Sequence, residues 1–200
     1  ADCLTTSHLI DKWFEQICRK SVTAGLQQKS VCEIKENIVD ALDRTGRLYV
    51  PKQILHVEEA SLDYLVSSEI ITIQNNRVGF AHQSILDYFI SQRMMEKYFD
   101  GQDVENIIGE KCKQTPGRRY QVQMFLQNLL EYDSSDFILI GERMLISDDI
   151  RYYVKYIFYE ILGQIQEPDD NIIQFVVDNC ENEIYGKYLL NNVIFSRKQY

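Results

Sequence analysis

The sequence predicts a mainly α-helical chain with one small β-hairpin near its middle, on three observations. Apolar residues recur at helical spacing along most of the 200 residues. Two short alternating runs, residues 70–74 and 77–81, flank Asn75 and Asn76, a pair that tolerates the positive φ angles of a tight hairpin turn. Thirteen Tyr and nine Phe against three Pro suit packed helices with short connections.

Taken in order, residues 5–19 place Leu9, Ile10, Trp13, Phe14 and Ile17 on one apolar face, with Thr5, Thr6 or Ser7 to cap the start. Residues 22–30 are polar around Gly25 and read as a loop. A second helix spans 31–46, with Ile34, Ile38, Val39, Ala41 and Leu42 facing inward and Gly46 as its stop. Leu48, Tyr49 and Val50 before Pro51 read as an extended link or small strand. Segments 52–56 and 57–68 follow, the latter turning Ala60, Leu62, Leu65 and Val66 to a core. After the hairpin, Ile85, Leu86, Tyr88, Phe89, Ile90, Met94 and Met95 return to helical spacing. Helices followed by a two-stranded wing are the order of a winged-helix domain, placed at residues 31–99. Residues 1–30 then form a helical linker from an upstream domain.

Beyond Gly101 the pattern predicts successive helices at 104–113, 119–131, 135–146, 150–164, 169–180 and 183–195. Connections this short make neighbouring helices antiparallel. Tyr120, Val122, Phe125, Leu126, Leu129 and Leu130 face one way, as do Val154, Ile157, Phe158, Ile161 and Leu162. Residues 100–200 therefore read as an α-solenoid of antiparallel helix pairs, and RYYVKYIFYEILG at 151–163 is similar to a HEAT-like repeat helix. Core packing takes most of Tyr152, Tyr153, Tyr156, Phe158 and Tyr159, any exposed remainder marking a binding face. The chain opens on Ala1 and not on Met, and closes on an apolar helix, which suggests an array truncated from a longer protein.

A formal charge of −9, with 30 acidic against 21 basic residues, argues against nucleic acid and against an anionic membrane surface. No run of eighteen apolar residues occurs and no signal-peptide layout opens the chain, so a cytoplasmic location is expected. The helix before the wing carries Glu58, Glu59, Asp63 and Glu69 and no basic residue, where a DNA reader would present Arg, Lys, Asn or Gln. A DNA-binding regulator is thus the weakest alternative, with Arg77 the single cation of the wing.

Chemistry-bearing motifs are scarce. The five cysteines Cys3, Cys18, Cys32, Cys112 and Cys180 lack ligand spacing, and His8 and His56 are isolated, so reduced thiols and no metal site are expected. Neither a Gly-x-x-x-x-Gly-Lys-Ser/Thr loop nor a Gly-x-Ser-x-Gly elbow is present, so no catalytic residues are assigned. Asp148-Asp149 and Asp169-Asp170 precede helices and read as caps. Residues 115–119 offer a small basic contact through Arg118 and Arg119 but read first as a solvated turn.

His82 stands where the second strand hands over to a helix, and a helix start attracts anions. Taken by itself, a lone histidine there reads first as a structural residue bonded to a backbone carbonyl. Phe80, His82, Asp87, Tyr88 and Phe89 match a Phe-x-His pattern with a following acidic residue and aromatic pair, which resembles the end of the winged-helix domain of STAND NTPases. Ala81 and Gln83 beside the histidine bring it nearer the NACHT-like branch than the NB-ARC one. The resemblance implies that His82 contacts the β-phosphate of ADP in a full-length parent that binds ADP or ATP with Mg. It further implies an upstream nucleotide-binding domain as partner, a protein ligand on the repeats and, as for many such relatives, a part in prokaryotic defence. The alternative is a stand-alone helical-repeat interaction module.

Overall fold

The computed structural model describes residues 6–195. Cys3 and the cap candidate Thr5 lie outside the described residues, as do the side chains of Thr6, Ser7 and His8. Helices dominate the described residues, joined by one small three-stranded antiparallel sheet. The chain divides into two compact units, Ala1–Ile90 and Ser91–Tyr200.

The first unit holds α1 (Thr6–Thr23), α2 (Gln28–Thr45), β1 (Val50–Pro51), a 3-10 turn at Lys52–Ile54, α3 (Glu59–Ser67), β2 (Ile71–Gln74), β3 (Arg77–Phe80) and the start of α4 (Gln83–Phe99). α1 runs further than its apolar face suggests because Cys18 and Ser21 are buried too, and the Ser21 hydroxyl donates to the Cys18 carbonyl at 2.7 Å. The loop expected at 22–30 shrinks accordingly. α2 stops where Gly46 adopts φ 63° and its N–H donates to the Leu42 carbonyl, the αL ending that glycine favours. Val31, Ile34, Ile38, Val39 and Leu42 of α2 form the centre of the core, meeting Phe14 and Ile17 of α1 and Leu62 and Leu65 of α3. Each such full burial contributes about 1.5–3 kcal/mol.

The strands are ordered β1-β3-β2, with β3 in the centre. β2 and β3 pair from Ile71↔Phe80 to Gln74↔Arg77 around a two-residue turn. Asn75 and Asn76 both take positive φ, 50° and 59°, as their side chains permit. Val50 pairs with Val78 on the other edge, so the Leu48–Val50 stretch does supply a strand.

The second unit holds the rest of α4, then α5 (Val104–Ile108), α6 (Pro116–Tyr132), α7 (Ser134–Ile146), α8 (Tyr152–Gln164), α9 (Asp170–Asn179) and α10 (Gly186–Leu189). α6 packs against α7 and α8, and α7 against α9. Phe125, Phe137 and Phe158 are fully buried, with the Phe158 ring 4.9 Å from Phe137 and 5.7 Å from Phe175.

Four local expectations are corrected here. The helix expected over 104–113 ends at Ile108, because Gly109 takes φ 96° and the chain resumes as a 3-10 turn at Lys111–Lys113. Residues 115–119 are not a solvated turn: Thr115 caps α6 by accepting from the Arg118 N–H, Pro116 follows, and the Arg118 side chain is buried with its Nη1 donating to Gln121 at 3.0 Å. Asp148 and Asp149 do not cap α8, whose N-cap is Arg151 without a side-chain bond. Their loop is held by the amide of Gln114, which donates to the Gly109 and Asp149 carbonyls and accepts from the Arg151 N–H. The last helix is one turn of α10 that widens into a π-turn at Leu190–Ile194. Asp169, by contrast, does cap α9, accepting from Ile172 N–H at 3.0 Å.

Buried phenols make the fold sensitive to alkali. Burial pushes the Tyr98 phenol up to about 12, with a hydrogen bond to Asp136 adding to it, and burial holds Tyr88 and Tyr159 well above the usual tyrosine range. Unfolded tyrosines lose their protons near pH ~10, where these folded ones keep theirs. The unfolded state then binds fewer protons, so the stabilisation is complete below about pH 10 and is lost as pH rises toward about 12. Urea midpoints followed by circular dichroism are expected to fall steadily across that window. A flat profile would contradict it.

Candidate functional site

The junction between β3 and α4 is built by packing on both sides. Phe80, at the end of β3, turns into the core with its ring 5.5 Å from Phe89. The Ala81 N–H donates to the Ile70 carbonyl at 2.8 Å, which extends the hairpin ladder by one residue. The His82 carbonyl accepts from the Ile85 N–H at 3.1 Å, which starts the helix. The His82 backbone is thus held from the sheet and from the helix while its side chain is exposed.

One turn on, Asp87 is buried and accepts from the Gln83 amide at 2.8 Å. Tyr88 and Phe89 are buried as well. The Phe89 ring lies 5.3 Å from Phe14, and the Lys35 ammonium sits 4.7 Å from its centroid. Phe80, Asp87, Tyr88 and Phe89 therefore anchor the junction, and His82 is the member of the matched pattern left facing solvent. An exposed imidazole at the start of a long helix can donate a hydrogen bond to an anion.

The acidic residues on and beside α3 are also outward. Glu58, Glu59, Asp63 and Glu69 are exposed, with Glu59 paired to Lys52 and Glu58 accepting from the Ser61 hydroxyl. These side chains set negative charge where a DNA reader would present cations.

The second unit carries an apolar groove of about 260 Å³ between the end of α8, α9 and the π-turn. Leu162, Ile165, Ile172, Val176 and Val193 line it, and Ile173 and Val177 belong to it while remaining 47 % and 61 % exposed. Asp170 and Asp178 on α9 and Glu181 just beyond it are exposed. The tyrosine-rich helix puts less into the core than expected: Phe158 and Tyr159 are buried, Tyr153 and Tyr156 are half-buried, and Tyr152 is exposed with its ring 5.6 Å from Tyr188.

One constellation had no signal in the sequence. Cys18 and Cys32, fourteen residues apart and in no recognised motif, meet across α1 and α2 at 3.5 Å between sulfurs. Among the described residues no group of three His, Cys, Asp or Glu side chains gathers as a metal site, and no helix is long and apolar enough to cross a membrane. No protein-family model matches the chain, and no curated protein or solved structure matches it.

Proposed function

We propose that this chain is the regulatory and interaction arm of a STAND-type NTPase of NACHT-like kind, not its motor. Residues 31–99 serve as a winged-helix domain: the order α2, β1, 3-10 turn, α3, β2, β3, with strands arranged β1-β3-β2, supports that architecture. Residues 100–200 serve as HEAT-like helical repeats, supported by the packing of α6 to α9 on one another.

The observation that carries the functional reading is the exposed imidazole of His82 on a junction otherwise anchored in the core. In the closed parent, His82 donates a hydrogen bond to a terminal phosphate oxygen of ADP held by the upstream domain. The first-turn amides of α4 add partial positive charge. Hydrolysis of ATP with Mg belongs to that upstream domain. A protein ligand bound to the repeats then favours the open form, and a swing from mostly closed to mostly open needs a preference of about 5.5 kcal/mol. The apolar groove suits such a ligand, and would equally serve a stand-alone interaction module. A Walker motif upstream in the same reading frame separates the two.

His82→Leu in the parent protein tests the latch. A hydrogen bond to a charged group is worth about 1.5–3 kcal/mol, so ADP should be released at least about tenfold faster and copurify at a lower level. The variant should keep its thermal midpoint, since the side chain is exposed. ADP retention equal to that of the unmodified parent would refute the assignment.

A further inference from the structure

The Cys18 and Cys32 sulfurs lie 3.5 Å apart as free thiols. A disulfide requires about 2.05 Å, so closure is a displacement of only about 1.5 Å, within reach of small side-chain rotations. The two thiols differ in access: Cys18 is 2 % exposed, whereas Cys32 is half-buried near the start of α2. Lys35 lies three residues after Cys32, on the same side of α2, and its charge favours ionisation of Cys18. Its ammonium is positioned by the Phe14 and Phe89 rings, at 5.2 and 4.7 Å from their centroids.

We infer that Cys18 and Cys32 are an oxidisable pair at which a low-molecular-weight disulfide, such as glutathione disulfide, closes an intramolecular bridge between α1 and α2. The Cys32 thiolate attacks one sulfur of the reagent, the reagent's S–S bond breaks, and one glutathione thiolate leaves and takes up a proton. Cys18, having released its proton to solvent, then attacks the Cys32 sulfur and expels the second glutathione thiolate. Two protein thiols are oxidised and one external disulfide is reduced to two thiols.

The environment sets this order. Burial and then the hydrogen bond to Cys32 push the Cys18 thiol up to about 12, so it is not the first nucleophile. Once Cys32 is capped, the hydrogen bond and the repulsion between the two sulfurs are gone, and Lys35 still favours the Cys18 thiolate. Among the described residues the other two thiols have other neighbours: Cys112 lies beside Glu110, and Cys180 donates to the Val177 carbonyl. The bridge would span the short loop between α1 and α2 and fasten α1 to the core of the first unit.

The test treats the full chain, with Cys3, Cys112 and Cys180 replaced by Ser, with glutathione disulfide at mildly alkaline pH and reads intact mass without reductant. The expected product is lighter by two hydrogen atoms, carries no glutathione, and yields a Cys18–Cys32 cross-linked peptide on digestion. Adding Cys18→Ala should trap glutathione on Cys32, and adding Cys32→Ala should leave Cys18 unmodified while the protein stays folded. A stable glutathione adduct on Cys32 with Cys18 still reduced would overturn the inference, as would a protein that stays fully reduced. Peptide mapping with Cys18 intact decides the matter even where Cys18→Ala does not fold.

Discussion

Gly141→Ala is expected to destabilise the second unit by about 3 kcal/mol, although alanine is the better helix former by roughly 1 kcal/mol. A Cβ built on Gly141 in α7 would sit 2.1 Å from Cε2 and 2.3 Å from Cζ of Phe158 on α8. Those distances are far inside van der Waals contact, so either the ring or the helix must move. The ring has nowhere to go: Phe158 is fully buried, with Phe137 and Phe175 packed against it at 4.9 and 5.7 Å. Interiors are packed about as densely as organic crystals, and forcing a methyl group into one costs about 1–3 kcal/mol even where neighbours can adjust. For a chain of this size the loss corresponds to a fall in melting temperature of about 6–12 °C. Calorimetry of Gly141→Ala alone and with Phe158→Leu checks the cause. The double variant should recover part of the loss, and a midpoint raised by Gly141→Ala alone would show that the ring retreats freely.

Gly79→Ala is expected to cost the first unit about 2–3 kcal/mol, for a related reason with a stiffer neighbour. The added Cβ would lie 2.4 Å from the Leu48 carbonyl oxygen and 2.7 Å from the Tyr49 ring. A backbone oxygen cannot rotate aside as a side chain can, and β3 is the central strand, bonded on both edges. The strand must shift, and with it the register that sets Val78 against Val50 and delivers Phe80 and then His82 to the start of α4. Hydrogen exchange of the hairpin amides and urea unfolding are the measurements, with the exposed Arg77→Ala at the tip of the same strand as the control. Equal midpoints for the two variants would contradict the close approach. Because the clash lies next to the candidate latch, Gly79→Ala in the parent should also impair ADP retention, with loss of fold, whereas His82→Leu should impair it without.

The helices were readable wherever one face was apolar for several turns, as in α2, α4, α7 and α8, and the hairpin was readable from Asn75 and Asn76. The errors cluster where a segment's state depends on distant residues. Gln114 and Arg118 sit in a polar stretch with Pro116 and Gly117 that reads as a turn, yet Gln114 bonds the loop before α8 and Arg118 is buried beside Gln121. Asp148 and Asp149 have the composition of a cap, but two further residues, Ile150 and the extended Arg151, come between them and the first residue of α8. The strand-to-helix boundary at His82 is legible in the sequence, while its exposure depends on how Phe80, Tyr88 and Phe89 pack into the core.

What this sequence determined by itself was local: helical periodicity, the αL stop at Gly46, the two-asparagine turn and the acidic character of α3. Each depends on residues within a turn or two of one another, and so on backbone preferences and near-neighbour burial. What only the tertiary structure decided was which distant atoms meet: Gly79 against Leu48, Gly141 against Phe158, and the Cys18 sulfur against that of Cys32. Those meetings depend on how helices and strands close upon each other, a matter of volume and contact between elements that no spacing along the chain encodes.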